Sequence, residues 1–236
     1  TPDENESLDS IKYLSRDFSP DQINWRYDPI LISGITGIDY QIDKFTSLCK
    51  ALSGYIRRCY ISFPTVYGKV ERSFNNFTSS TGIHLSNLDI QDRITLAEKL
   101  AYIAEKYGIK IFSCCGDYLT GEKINKGHCI NGDILSSISG KDLSKLKIRP
   151  TRKECGCTES VDIGIYDSCP HGCIYCYANS DIVKASSFYK KYISDSGYSE
   201  SAFLGISTEV SDAWIKDIKE SIRTGKSDGT IQPALF

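Results

Sequence analysis

Two hydrophobic rhythms take turns along the chain. The opening stretch "NESLDSIKYLSR" sets Leu8, Ile11 and Leu14 three residues apart, the stripe of an amphipathic helix. A Pro20–Asp21 turn follows, and "INWRYDPIL" is short, rich in β-forming residues and closed by Pro29. Ile42, Phe45, Leu48, Cys49 and Leu52 share one face of a second helix over "DYQIDKFTSLCKALSGYI", and "CYISF" reads as a strand stopped by Pro64. The polar stretch from Ser73 to Asn87 keeps neither rhythm and reads as a long loop. "LDIQDRITLAEKLAYIAEKYG" is the clearest helix, with Gly108 at its end. After it come a strand "IKIFSCC", a short helix "INGDILSSI" and a further strand "SVDIGIYDSC".

Helices alternating with strands in this way predict right-handed crossovers and a parallel sheet. Four strand candidates are half of an eight-stranded barrel; a small sheet closed by its own helices is the alternative. The expected fold is therefore α/β, a partial TIM-like (β/α) barrel over residues 1–180 with a cysteine-rich cluster region over 114–176, followed by a helical and flexible extension over 181–236. Strand alternation places Ile23, Trp25 and Tyr27 opposite Asn24, Arg26 and Asp28, and Val161, Ile163 and Ile165 opposite Asp162, Gly164 and Tyr166. With the apolar sets against the helices, Arg26, Asp28 and Asp162 point toward the barrel mouth, where barrel enzymes carry their chemistry. The plainer alternative is an Arg–Asp pair that only neutralises itself inside.

Composition narrows the class. The chain is 40% hydrophobic and 25% charged, ordinary for a globular protein with its own core. A net charge of −2 supplies no global basic field for nucleic acid or an acidic membrane. No apolar run approaches the roughly 18 residues of a membrane helix, and nothing near Thr1 resembles a signal peptide. The chain holds no methionine, which points to a missing N-terminal part. Ten cysteines suit a disulfide scaffold in a short secreted chain, but here they crowd toward the C-terminal half in CxC and CxxC spacings, so metal binding in a reducing cytoplasm is expected.

The densest chemistry lies in "CPHGCIYCYA", where Cys169, Cys173 and Cys176 follow a C-x3-C-x2-C pattern. Thiolates are soft anionic donors for iron and zinc, and three on so short a loop can reach three corners of one cubane, leaving a fourth iron open. Gly172 lets the backbone turn closely and Pro170 fixes its entry. The spacing, with Tyr175 before the last cysteine, resembles the cluster motif of the radical S-adenosylmethionine enzymes. That resemblance implies a [4Fe–4S] cluster whose open iron chelates the cofactor, a 5′-deoxyadenosyl radical as the reactive species, and Tyr175 contacting the adenine side; zinc or unliganded thiols are the alternatives. His171, crowded between two cysteines, suits hydrogen bonding to a sulfur or an acid better than ligation.

Four more cysteines suit a second, fully ligated site: Cys114 at the end of "IKIFSC", Cys129 in "KGHC", and Cys155 and Cys157 in "ECGC". Four thiolates accept either a second [4Fe–4S] cluster or a structural zinc, while the bland alternative makes Cys114 and Cys129 buried small hydrophobes. His128 is a substitute ligand, and His84 lies in polar surroundings. Cys115 neighbours Cys114 but points to the opposite strand face, which makes it the weaker candidate. Cys49 and Cys59 read as core.

"NWRYDPIL", "YISF", "KGHC" and "RKECGCTESVDIGIYDSCPHGCIYCYAN" together resemble the bacterial family labelled domain of unknown function 1848, from about residue 5 to residue 180. The resemblance implies a radical S-adenosylmethionine-like barrel with its cysteine motif near the C-terminus, as a circular permutation would give. It carries over Trp25, Arg26, Asp28, Cys114, Cys129, Cys155, Cys157, Cys169, Cys173 and Cys176. An electron donor such as a flavodoxin or ferredoxin goes with that activity. The "YCY" run resembles that of spore photoproduct lyase, which implies DNA lesion repair as one version of the activity, while the basic stretch "KDLSKLKIRPTRK" either tracks a phosphate backbone or is a solvated linker before the metal site. The terminal Gln232-x-x-Leu235-Phe236 resembles the peptide by which DNA enzymes dock on the sliding clamp, although Pro233 departs from it; a tail folded back on its own protein is the alternative.

Overall fold

A computed structural model describes residues 3–143, 145–150, 152–160 and 165–194. The chain divides into two compact units, Thr1–Ser160 and Val161–Phe236.

The first unit is built on a parallel sheet of four strands in the order β1-β3-β5-β6: β1 Asn24–Tyr27, β3 Arg58–Ile61, β5 Lys110–Ser113 and β6 Ile124–Lys126. Helix α2 (Ile38–Leu52) links β1 to β3, helices α3 (Gly68–Thr81) and α4 (Ile90–Lys106) link β3 to β5, and a single 3-10 turn (Asp117–Leu119) lies between β5 and β6. A two-residue ladder, β2 (Ile32–Ser33) with β4 (Leu85–Ser86), runs antiparallel beside it. Helix α1 (Glu4–Asp17) starts on a capping box: Glu6 N–H donates to Asp3 at 2.9 Å and Asp3 N–H to Glu6 at 3.3 Å.

Register explains which side of this sheet is greasy. Trp25, Cys59, Ile111 and Ile124 form one row across all four strands, and all are buried. Trp25 stacks on Phe45 of α2 at 5.2 Å, and Leu96, Ala97, Leu100 and Ala104 of α4 complete this core. Cys49 and Cys59 are wholly buried in it, and burial raises the Cys49 thiol to about 12. The next row, Arg26, Tyr60, Phe112 and Asn125, falls on the opposite face, as a period of two demands. There Tyr60 stacks on Phe112 at 5.3 Å and Arg26 lies 5.9 Å from the Tyr60 ring.

The parallel α/β sheet and the short helix over "INGDILSSI" were expected; α3 and β6 were not. The polar stretch read as a loop from Ser73 is in its first part the helix α3, which ends at Gly82 in the left-handed region (φ 72°) and buries Val70 alone. Strand β6 escapes a periodicity search because only Ile124 of its three residues is buried. Helix α5 (Gly132–Ser139) follows β6, capped by Asn131, whose side chain accepts from Asp133 and Ile134. Residues 161–164 of the strand expected over "SVDIGIY" lie outside the described residues, as does the tail beyond residue 194. No helix among the described residues is long and apolar enough to cross a membrane.

The second unit is described over residues 165–194: a loop carrying the triple-cysteine motif, then helix α6 (Ile182–Ser194).

Candidate metal centres

In the first unit three loops deliver cysteines to the C-terminal end of the sheet. Strand β5 ends at Ser113, and Cys114 N–H still donates to Ile61 at 2.9 Å, which seats Cys114 as a buried residue at the rim. "KGHC" passes so close to this end that a Cβ on Gly127 would stand 2.5 Å from the Ser113 carbonyl oxygen; only glycine allows the approach. The result is a Cys114–Cys129 sulfur contact of 3.4 Å. The "ECGC" loop closes over it. A Cβ on Gly156 would meet the His128 ring at 2.8 Å, and His128 instead donates from Nδ1 to the Gly156 carbonyl. Thr158 N–H donates to Ile130 at 2.9 Å, Thr158 Oγ1 accepts from Gly132 N–H at 2.9 Å, and Arg149 N–H donates to Cys157 O at 3.0 Å. Burial leads the causes that raise the Cys157 thiol.

Cys115 lies beside this group and lines one cleft with Cys114. The strand has ended at Ser113, and a φ of 52° at Cys115 turns the chain, so the alternation that would carry its side chain away no longer applies. The closeness of Cys115 and Cys129 holds the Cys114 thiol below its ordinary value and raises their own.

Arg26 brings a positive charge to these sulfurs. Its guanidinium grips Asp28 through Nη2 at 2.6 Å and Nε at 3.2 Å, and reaches Cys129 Sγ at 2.9 Å and Cys114 Sγ at 3.7 Å. Partial burial works against its charge, yet Asp28 and the two sulfurs outweigh that and raise Arg26 above its ordinary value. Asp28 also accepts from Ser62 at 3.3 Å. Arg152 approaches Cys114 at 4.0 Å.

Beside the thiols a cleft of about 220 Å³ opens between the ends of β3 and β5, lined by Ser62, Phe63, Arg93, Cys114, Cys115 and Tyr118 among others. Arg93 is held there by Leu88 O at 2.9 Å and Tyr118 Oη at 3.2 Å, with its guanidinium 5.4 Å from the Phe63 ring.

In the second unit Cys169, Cys173 and Cys176 are all half-buried. Their loop turns at Gly172 (φ 65°), and Cys176 N–H donates back to Cys173 O at 3.0 Å. Asp167 ties the two ends of the loop together. Its N–H donates to Ala178 O at 3.1 Å, and its carboxylate accepts from Ser180 N–H, from the Ser180 hydroxyl at 2.7 Å, from Lys184 at 3.1 Å and from Asp181 N–H at 3.3 Å. The Ser180 hydroxyl and N–H lead the causes that depress this carboxyl far below its ordinary range. His171 is exposed, Tyr175 is 36% exposed, and Asn179 donates to Cys169 O.

The sequence-predicted residues therefore sort as follows. Cys114, Cys129, Arg26 and Asp28 meet at one place in the first unit, with Cys155 and Cys157 packed beside them; Cys169, Cys173, Cys176 and Tyr175 share one loop of the second. Asp162, Gln232, Leu235 and Phe236 lie outside the described residues. Cys115, Arg93 and Asp167 were missed: the first by extending a strand too far, the others because a lone Arg or Asp carries no spacing signal. Among the described residues no three His, Cys, Asp or Glu side chains already stand at the spacing of ligands around one ion. The donor set nonetheless fits a soft metal, since clustered thiols backed by guanidinium groups are what such ions bind.

No curated protein and no solved structure matches the chain. One family model does, over residues 1–178, which include both cysteine groups and the paired Arg26 and Asp28. The chain belongs to the family described as domain of unknown function (DUF1848).

Proposed function

We propose that the protein is an iron–sulfur enzyme of radical S-adenosylmethionine type. The observation that carries this reading is the C-x3-C-x2-C loop, three half-buried thiols within eight residues. When bound there by Cys169, Cys173 and Cys176, a [4Fe–4S] cluster supplies an iron open to S-adenosylmethionine and the electron that cleaves its sulfonium.

The chain's own residues have separable tasks. Gly172 turns the loop and Asp167 clasps its ends. Tyr175 offers an exposed ring to the adenine. The four-stranded sheet stands as half of a (β/α) barrel, with substrate entering at the C-terminal ends of the strands. There the Arg26–Asp28 pair and the cleft beside Arg93 line the way in. Cys114, Cys129, Cys155 and Cys157 hold a second metal, and a nucleic acid is the substrate class, with lesion repair or modification as the reaction. A flavodoxin or ferredoxin delivers electrons, and Gln232, Leu235 and Phe236 dock on a sliding clamp.

Anaerobic reconstitution with iron and sulfide, followed by dithionite and S-adenosylmethionine, tests the reading. Release of 5′-deoxyadenosine is expected. A colourless, zinc-loaded protein that releases none leaves a second reading, a non-catalytic or redox-sensing metal protein. The 3.4 Å sulfur contact at the rim of the sheet is the observation in favour of that second reading.

A further inference from the structure

We propose that Cys114, Cys129, Cys155 and Cys157 hold one tetrahedral zinc ion, not a second cubane. This deepens the part of the proposed function that gives these thiols to a metal, and it is independent of the loop at 169–176.

Distance is the first argument. Zn–S bonds of about 2.3 Å place the sulfurs of a tetrahedral site about 3.8 Å apart. Cys114 and Cys129 already stand at 3.4 Å. In a cubane each cysteine binds a different iron and points outward from its own corner, so its sulfurs lie much farther apart. A cubane would have to force this pair open; a single ion barely moves it.

Pairing is the second argument. Cys155 and Cys157 lie two residues apart on one loop, and that loop is tied to the one that carries Cys129. The Thr158–Ile130 and His128–Gly156 hydrogen bonds already fix the backbones of the two loops to one another. The ion has still to draw the third and fourth sulfurs in, since among the described residues no three such side chains stand at ligand spacing. A tetrahedral ion takes four sulfurs, and Cys114 already serves from the turn that carries Cys115.

Charge is the third. Four thiolates around a divalent ion leave an excess negative charge, and two guanidinium groups approach: Arg26 at 2.9 Å from Cys129 and Arg152 at 4.0 Å from Cys114. Arg26 is thus a positioning residue, acting through the sulfurs.

The test uses the full chain carrying Cys169→Ser, Cys173→Ser and Cys176→Ser, purified anaerobically and titrated with Co(II). About one equivalent should bind with intense thiolate-to-cobalt absorption and tetrahedral ligand-field bands, and zinc should displace it. Adding Cys115→Ser should leave the spectrum intact; adding Cys129→Ser should abolish it. If Cys129→Ser does not fold, Cys157→Ser carries the same expectation. Arg26→Leu should weaken cobalt binding about 10-fold or more, with Arg26→Lys restoring part of the loss. Three results overturn the proposal: an unchanged spectrum in a folded Cys129→Ser or Cys157→Ser variant, its loss in Cys115→Ser, or about four irons per chain with sulfide on reconstitution of this loop-less variant. None of these touches 5′-deoxyadenosine release by the wild type, so the two proposals fail separately.

Discussion

The two cysteine groups differ in how they are assembled. Cys169, Cys173 and Cys176 lie on one short loop whose ends are fastened by a single carboxylate, that of Asp167. Cys114, Cys129, Cys155 and Cys157 come from three separate loops and meet only because β5 ends where "KGHC" and "ECGC" cross it. The first group is local and depends on a turn. The second is tertiary and depends on the whole sheet with its apolar face packed on α2 and α4. A contiguous site tolerates damage elsewhere; a dispersed one does not.

The largest expected effect separates the groups outright. Cys173→Ala should abolish both iron on the loop and 5′-deoxyadenosine release, while the melting temperature of the first unit stays as in wild type; a fall in that temperature would show the groups to be one structure. Next comes Phe45→Ala. Phe45 is fully buried against Trp25, and truncating such an aromatic costs about 3–5 kcal/mol. Thermal unfolding should drop by roughly 10 °C, and cobalt binding at the dispersed group should be lost along the same curve.

Gly156→Ala should act more gently and more locally. Its new Cβ meets the His128 ring at 2.8 Å, and overpacking of this kind costs about 1–3 kcal/mol. The "ECGC" loop should lift from "KGHC", lowering cobalt affinity in a titration with little change in far-UV dichroism. Asp167→Asn is the smallest and the mirror image: iron retained on the 169–176 loop after reconstitution should fall in part, with cobalt binding by the dispersed group unchanged.

The same contrast governs what can be read from sequence. A contiguous C-x3-C-x2-C needs no fold to be seen, and helices α1, α2, α4 and α5 announce themselves by apolar spacing or caps. Helix α3 does not, because Val70 is its only buried residue and "FNNFTSST" reads as polar chain. The face of Arg26 follows from strand alternation, since Trp25 must meet Phe45; its grip on Cys129, 103 residues away, does not. Cys115 shows where alternation stops: the rule holds through Ser113, and a positive φ two residues later reverses its forecast. Asp167 was invisible because its role lies in four donors that only the folded loop assembles.

The claim on which the account rests is that Cys169, Cys173 and Cys176 hold an iron–sulfur cluster with one iron open to an outside ligand. Electron paramagnetic resonance of the reconstituted, dithionite-reduced full chain tests it most directly. The account predicts a reduced-cluster spectrum that changes when S-adenosylmethionine is added and disappears in the Cys173→Ala variant. A spectrum indifferent to S-adenosylmethionine, or one that survives in Cys173→Ala, would contradict it.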